Sequence, residues 1–177
     1  MSTVDPQLHA ALNETTVVDG PAPPPLPRQN AQNPYVGRPL GEILVEKFGV
    51  SVSKLGDALD QQALKKARVG EILVGLKAVA PEVVRAALGL QLDLQVVETL
   101  DPNVIPDNVL VRVPINFAKS AHIVPIKVNE DGRVVAAVAD PLDYATLEEL
   151  RMLLGADVDV VISAPEVIVA TINRAYD

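Results

Sequence analysis

The strongest constraint on this chain is a phrase it contains twice. Residues 39–62 read PLGEILVEKFGVSVSKLGDALDQQ and residues 68–91 read RVGEILVGLKAVAPEVVRAALGLQ. Both copies carry Gly-Glu-Ile-Leu-Val at the same offset and end on Gln, with five residues between them. Two copies of one small unit can stack to bury a shared core, and each copy reads as such a unit. A short apolar segment (40–45, then 69–74) is followed by a break and a second helix. The second break is marked by Ala80-Pro81-Glu82, with Pro at the first helical position and an acid in the first turn. Leu55, Leu59 and Gln62 share one helical face, and Val84, Leu88 and Gln91 repeat that spacing. Each copy is therefore expected to form a helical hairpin whose last helix points an apolar stripe and a terminal Gln in one direction.

After Leu94 the pattern changes. LQVVETL, bounded by Asp101-Pro102, has the β-branched character of a strand. VPINFAKSAH suits a short helix, and IVPIKV-NEDG-RVVAAVA is a β-hairpin with Asp131-Gly132 supplying the turn. DPLDYATLEELRMLLG predicts a helix capped by Asp140 or Asp143, with Glu148 and Glu149 on its wet side and Gly155 at its end. DVDVVIS predicts a strand with its aspartates outward, and APEVIVATINRAYD a final helix started by Pro165. The expected fold class is α+β: a pair of helical hairpins followed by a small mixed sheet packed with helices. Residues 1–37, Pro-rich and without apolar periodicity, read as a disordered leader. The duplicated unit fills 38–93 and the α+β unit 94–177.

Chemistry narrows by elimination. The chain has no cysteine and two histidines, His9 and His122, so thiolate metal sites, three-His sites and a catalytic triad are not expected. No glycine stands in a phosphate-cradling Gly-Lys-Ser/Thr context, and Gly-x-Gly-x-x-Gly does not occur. The pairs Glu148/Glu149 and Asp157/Asp159 read as solvated surface rather than as an acid/base couple or a metal site. No enzyme, no metal site and no required cofactor are expected. No apolar run approaches the roughly 20 residues of a membrane helix, and the N-terminus lacks the pattern of a secretory signal. The reading is of a soluble, non-secreted chain without membrane insertion. A net charge of −8 argues against DNA or RNA as partner. That charge is uneven: residues 38–91 hold eight basic and six acidic side chains, residues 92–177 six and fourteen. The duplicated unit is the net-positive part, which points to an anion there.

Aliphatic packing explains Ile43, Leu44, Ile72 and Leu73, but core packing does not obviously ask for Gly41, Gly70, the basic residue at the start of each copy, or the two terminal glutamines. Glycine lets a backbone approach a ligand closely. Arginine offers a planar fork for phosphate or a guanine edge, and glutamine paired donors and acceptors. Two such clusters would suit a twofold-symmetric ligand with two anionic groups and two bases.

The duplicated pattern, with basic residue, Gly, two spaced leucines and closing Gln, resembles the MshEN-type cyclic di-GMP-binding domain of type II secretion and type IV pilus assembly ATPases. The downstream phrases VPINFAKSAHIVPIKV, VVAAVADPLDYATLEELRMLLGADVDVVIS and INRAYD resemble the same N-terminal region, so the likeness covers about residues 38–177. The resemblance implies a non-catalytic regulatory domain with cyclic di-GMP as ligand. In the second copy it implies Arg68, Val69, Gly70, Val84, Leu88 and Gln91 as ligand-binding residues. In the first it implies Leu40, Gly41, Leu55, Leu59 and Gln62, with Arg38 one residue ahead of the motif position that Pro39 occupies. The family's mid-motif glycine is Lys77 in the second copy and is displaced to Gly49 in the first. If a nucleotide binds, the second copy is expected to carry more of the affinity. The resemblance also implies a docking partner, the cytoplasmic part of an inner-membrane platform protein, and a cytoplasmic location peripheral to that membrane. The ATPase motor is not in this sequence, and would be a further partner if the chain is a fragment. Pure protein docking without nucleotide is the alternative function.

Overall fold

The computed structural model describes residues 32–177. The duplicated unit forms four helices: α1 (Leu40–Phe48), α2 (Val52–Leu64), α3 (Val69–Gly75) and α4 (Pro81–Leu92). Their packing is crosswise. α1 of the first copy lies mainly against α4 of the second, and α2 against α3. The two hairpins are thus interlocked rather than stacked side by side. Each short first helix, α1 of 9 residues and α3 of 7, thereby lies along a longer second helix of the other copy, and helices this short draw their stability from such packing. Interlocking gathers Ile43, Leu44, Ala58, Ile72, Leu73 and Ala87 from both copies into one core.

Packing within each hairpin accounts for the two glycines. A Cβ on Gly41 would stand 2.8 Å from Leu55 Cδ1, and one on Gly70 would stand 2.8 Å from Val84 Cγ1. Both glycines are buried. They admit the second helix of their own copy, so close backbone approach here serves helix packing.

The second half runs through a 3-10 turn (Pro102–Val104), α5 (Asp107–Leu110), α6 (Ile115–Ala121), β1 (Ile123–Val128), β2 (Val134–Val138), α7 (Tyr144–Leu154), β3 (Val158–Ile162) and α8 (Pro165–Ala175). The sheet order is β1-β2-β3, antiparallel between β1 and β2 and parallel between β2 and β3. β2 is central and buried along its whole length, which is why it reads VVAAV without alternation. The parallel pair needs a crossover, and α7 provides it. The hairpin turn holds Gly132 at φ +83°, with Asp131 accepting from the Arg133 amide at 3.1 Å. Asp143, not Asp140, caps α7 by accepting from Thr146 N, and Gly155 ends the helix at φ +61°. Asp157 is exposed as expected, but Asp159 is only 18% exposed and takes the Arg133 guanidinium at 2.6 Å. Glu149 is exposed, while Glu148 is half-buried and paired with Arg151.

Two boundaries differ from the sequence reading. The strand expected at LQVVETL shrinks to a single parallel bridge, Val96 with Ile162, because Leu94 is drawn into the core and the chain then turns away. Residues 32–37, counted with the leader, are pinned to α4. Asn33 Nδ2 donates to Leu90 O at 2.9 Å and the Gly37 amide to Gln91 O at 2.9 Å. The rest of the expected leader lies outside the described residues. α4 also joins the two halves, since Leu88 and Leu92 pack on the core of the sheet half.

Candidate functional site

At the junction of both copies with the β2–α7 turn lies a groove of about 350 Å³. Of the residues expected to bind ligand, it is lined by Leu40 and Gln62 from the first copy, and by Arg68, Val69, Gly70, Val84, Leu88 and Gln91 from the second. Four expected residues do not line it. Arg38 turns onto the outer face of α1, where its Nη2 reaches Glu46 Oε2 at 2.6 Å and Glu42 Oε2 at 3.4 Å. The hydrogen bond to Glu46 raises the Arg38 pKa and lowers that of Glu46. Gly41 and Leu55 are spent on each other in the α1–α2 contact. Leu59 stands 49% exposed on the outer side of α2.

The terminal glutamines show how the copies lock. Gln62 Nε2 donates to Ala67 O at 3.2 Å, and Gln91 Nε2 to Arg38 O at 3.0 Å. Ala67 and Arg38 are equivalent positions, each just ahead of a first helix. Each Gln therefore holds the carbonyl that leads into the other copy, and the two contacts repeat a pseudo-twofold relation. Their amide oxygens accept no bond among the described residues and remain available at the groove wall.

Arg68 sits at the N-cap of α3 with extended backbone, and its amide donates to Glu71 Oε2 at 3.2 Å. Its guanidinium crosses to the sheet half, where Nη1 meets Asp140 Oδ1 at 2.6 Å. That hydrogen bond, offset in part by burial, raises the Arg68 pKa. Asp140 is held in place by the Leu142 amide at 3.0 Å. Pro39, the counterpart of Arg68, caps α1 without a side-chain donor. The cationic wall is therefore built by the second copy alone.

Five groove residues escaped the sequence reading: Glu71, Arg85, Ala139, Asp140 and Leu142. The ADPLD phrase between strand and helix was the available signal for the last three. Arg85 had none, because its first-copy counterpart is Gly56. The wall is apolar with a few converging amides and guanidinia, which suits a planar, polar, negatively charged ligand. Among the described residues no group of three or more His, Cys, Asp or Glu could hold a metal ion, and no helix is long and apolar enough to cross a membrane.

Comparisons with known proteins agree with this architecture. The type IV pilus assembly ATPase PilB of Myxococcus xanthus is 29% identical over 138 residues, covering 77% of this chain and 24% of PilB. The chain thus spans about a quarter of that relative's length. A solved structure of MshE with cdg superposes with a TM-score of 0.65 at 26% identity, covering 78% of this chain and 99% of that one. The N-terminal domain of XpsE shares the fold, with a TM-score of 0.60 at 21% identity over 78% of this chain and 94% of that one. The MshEN domain family matches residues 88–177, just over half of the chain, so that Leu88 and Gln91 alone of the expected binding residues fall inside the match. By that match, this chain belongs to the MshEN domain family.

Proposed function

We propose that this chain is a regulatory N-terminal region of a type II secretion or type IV pilus assembly ATPase, and that its groove binds cyclic di-GMP. The observation that carries the reading is convergence: Gln62, Arg68, Gly70 and Gln91, scattered over both copies, line one groove. The apolar Leu40, Val84 and Leu88 beside them supply a surface for a base, and Arg68 supplies charge for a phosphate or a guanine edge. The likeness to MshE with cdg supports the choice of ligand. A phosphate beside Arg68 would share it with Asp140, so the ligand would act on an ion pair between the helical half and the sheet half. Calorimetric titration of cyclic di-GMP against GMP tests the reading: saturable binding of the cyclic dinucleotide alone is expected, and no heat with either would refute it.

A docking reading rests on a separate observation. Val104, Val111 and Met152 in the sheet half are 63%, 82% and 76% exposed. Attachment to the cytoplasmic part of an inner-membrane platform protein through this half would place the chain at the membrane periphery. Co-purification with that cytoplasmic part, lost on Val111→Asp, tests it.

A further inference from the structure

The walls of the groove carry four charged side chains: Arg68, Arg85, Glu71 and Asp140. Three are already engaged. Arg68 pairs with Asp140, and Glu71 caps the Arg68 amide. Arg85 alone is unengaged: it is half-buried, lines the groove, and makes no hydrogen bond or ion pair among the described residues. It stands on α4 between Val84 and Leu88, and Leu88, three residues on, shares its side of the helix. A partly desolvated guanidinium with no counter-charge is poorly placed in the free protein and well placed for an anion.

We infer, on the reading that cyclic di-GMP occupies this groove, that Arg85 is its free anion-binding cation. It supplies the second positive charge that Pro39 denies to the first copy. The charge balance requires it. Without Arg85 the groove would hold one cation against two carboxylates, and a ligand with two phosphates would meet net repulsion. With Arg85 the wall is neutral before binding, and a phosphate can dock without first breaking the Arg68–Asp140 pair. The asymmetry is specific to this groove, because the matching residue Gly56 faces open space and offers no group at all.

The test is titration of cyclic di-GMP into the full chain at low and at moderate salt, for the wild type, Arg85→Ala and Arg85→Lys. Arg85→Ala should weaken binding about tenfold or more and flatten its salt dependence. Arg85→Lys should keep the salt dependence while recovering part of the affinity. Both variants should melt with the wild type, since Arg85 makes no bond to lose. Wild-type binding with Arg85→Ala within twofold of it overturns this inference and leaves the groove assignment standing. A weakened Arg85→Ala with unchanged salt dependence also overturns it, assigning the residue to packing. A wild type that does not bind removes both.

Discussion

Replacing Gly70 with Ala tests the claim that the repeated Gly-Glu-Ile-Leu-Val phrase is a packing device. The new methyl would lie 2.8 Å from Val84 Cγ1 and 3.4 Å from Leu40 Cδ2. Carbon contacts are comfortable at about 3.5–4.0 Å, so something must move. Val84 is β-branched and held to one rotamer within α4, so relief requires α3 and α4 to part. Overpacking of this kind costs about 1–3 kcal/mol, against which alanine gains about 0.5–1 kcal/mol over glycine inside a helix. The net loss is about 0–2.5 kcal/mol, or a fall in Tm of up to about 10 °C for a domain of this size. Two companions calibrate the result. Gly41→Ala meets the ends of Leu55 at 2.8 and 3.1 Å, and a leucine can rotate away, so its effect should be smaller. Gly56→Ala meets nothing within 4 Å and should stabilise by about 0.5–1 kcal/mol. Urea and thermal unfolding followed by circular dichroism give all three. A Gly70→Ala variant that gains stability alongside Gly56→Ala would refute the packing argument.

Lys77 holds φ +55° where the family pattern has glycine, and Lys77→Gly should raise stability by about 0.5–1 kcal/mol in the same unfolding assay. Gln91→Ala removes the bond to the Arg38 carbonyl and should cost about 1 kcal/mol without any ligand present, read as a lower urea midpoint at unchanged slope. In calorimetric titration with cyclic di-GMP, Arg68→Ala should weaken binding about tenfold or more, while Arg38→Ala, whose guanidinium faces Glu42 and Glu46, should leave affinity nearly unchanged.

The features legible in the sequence are those written locally. The repeat, the Asp131-Gly132 hairpin, the helix between Asp143 and Gly155 and the Pro165 helix start each depend on residues within a few positions of one another. What was hidden depends on distance along the chain. The crosswise pairing of α1 with α4 cannot be read from two identical periodicities, because both copies would look the same stacked or interlocked. Arg68 meets Asp140 across 72 residues, and no local pattern joins them. Leu59 kept the helical spacing of Leu88 but came to lie outside the groove, since equal spacing does not give equal surroundings when one copy faces the sheet half and the other faces solvent. The glycines and glutamines stand out in the sequence as an excess over what a simple core requires. The glycines serve packing within each hairpin, and the glutamines serve the interlock between them.

Amide chemical-shift mapping on the isotope-labelled chain, titrated with cyclic di-GMP, tests most directly whether both copies and the β2–α7 turn form one binding groove. Changes are expected to cluster at Gln62, Arg68 to Glu71, Val84 to Gln91, and Ala139 to Leu142, reporting from three parts of the sequence at a single ligand equivalence point. Shifts confined to one copy, or gathered instead around Tyr35, Phe48 and Gln95 on the other face of α4, would contradict it.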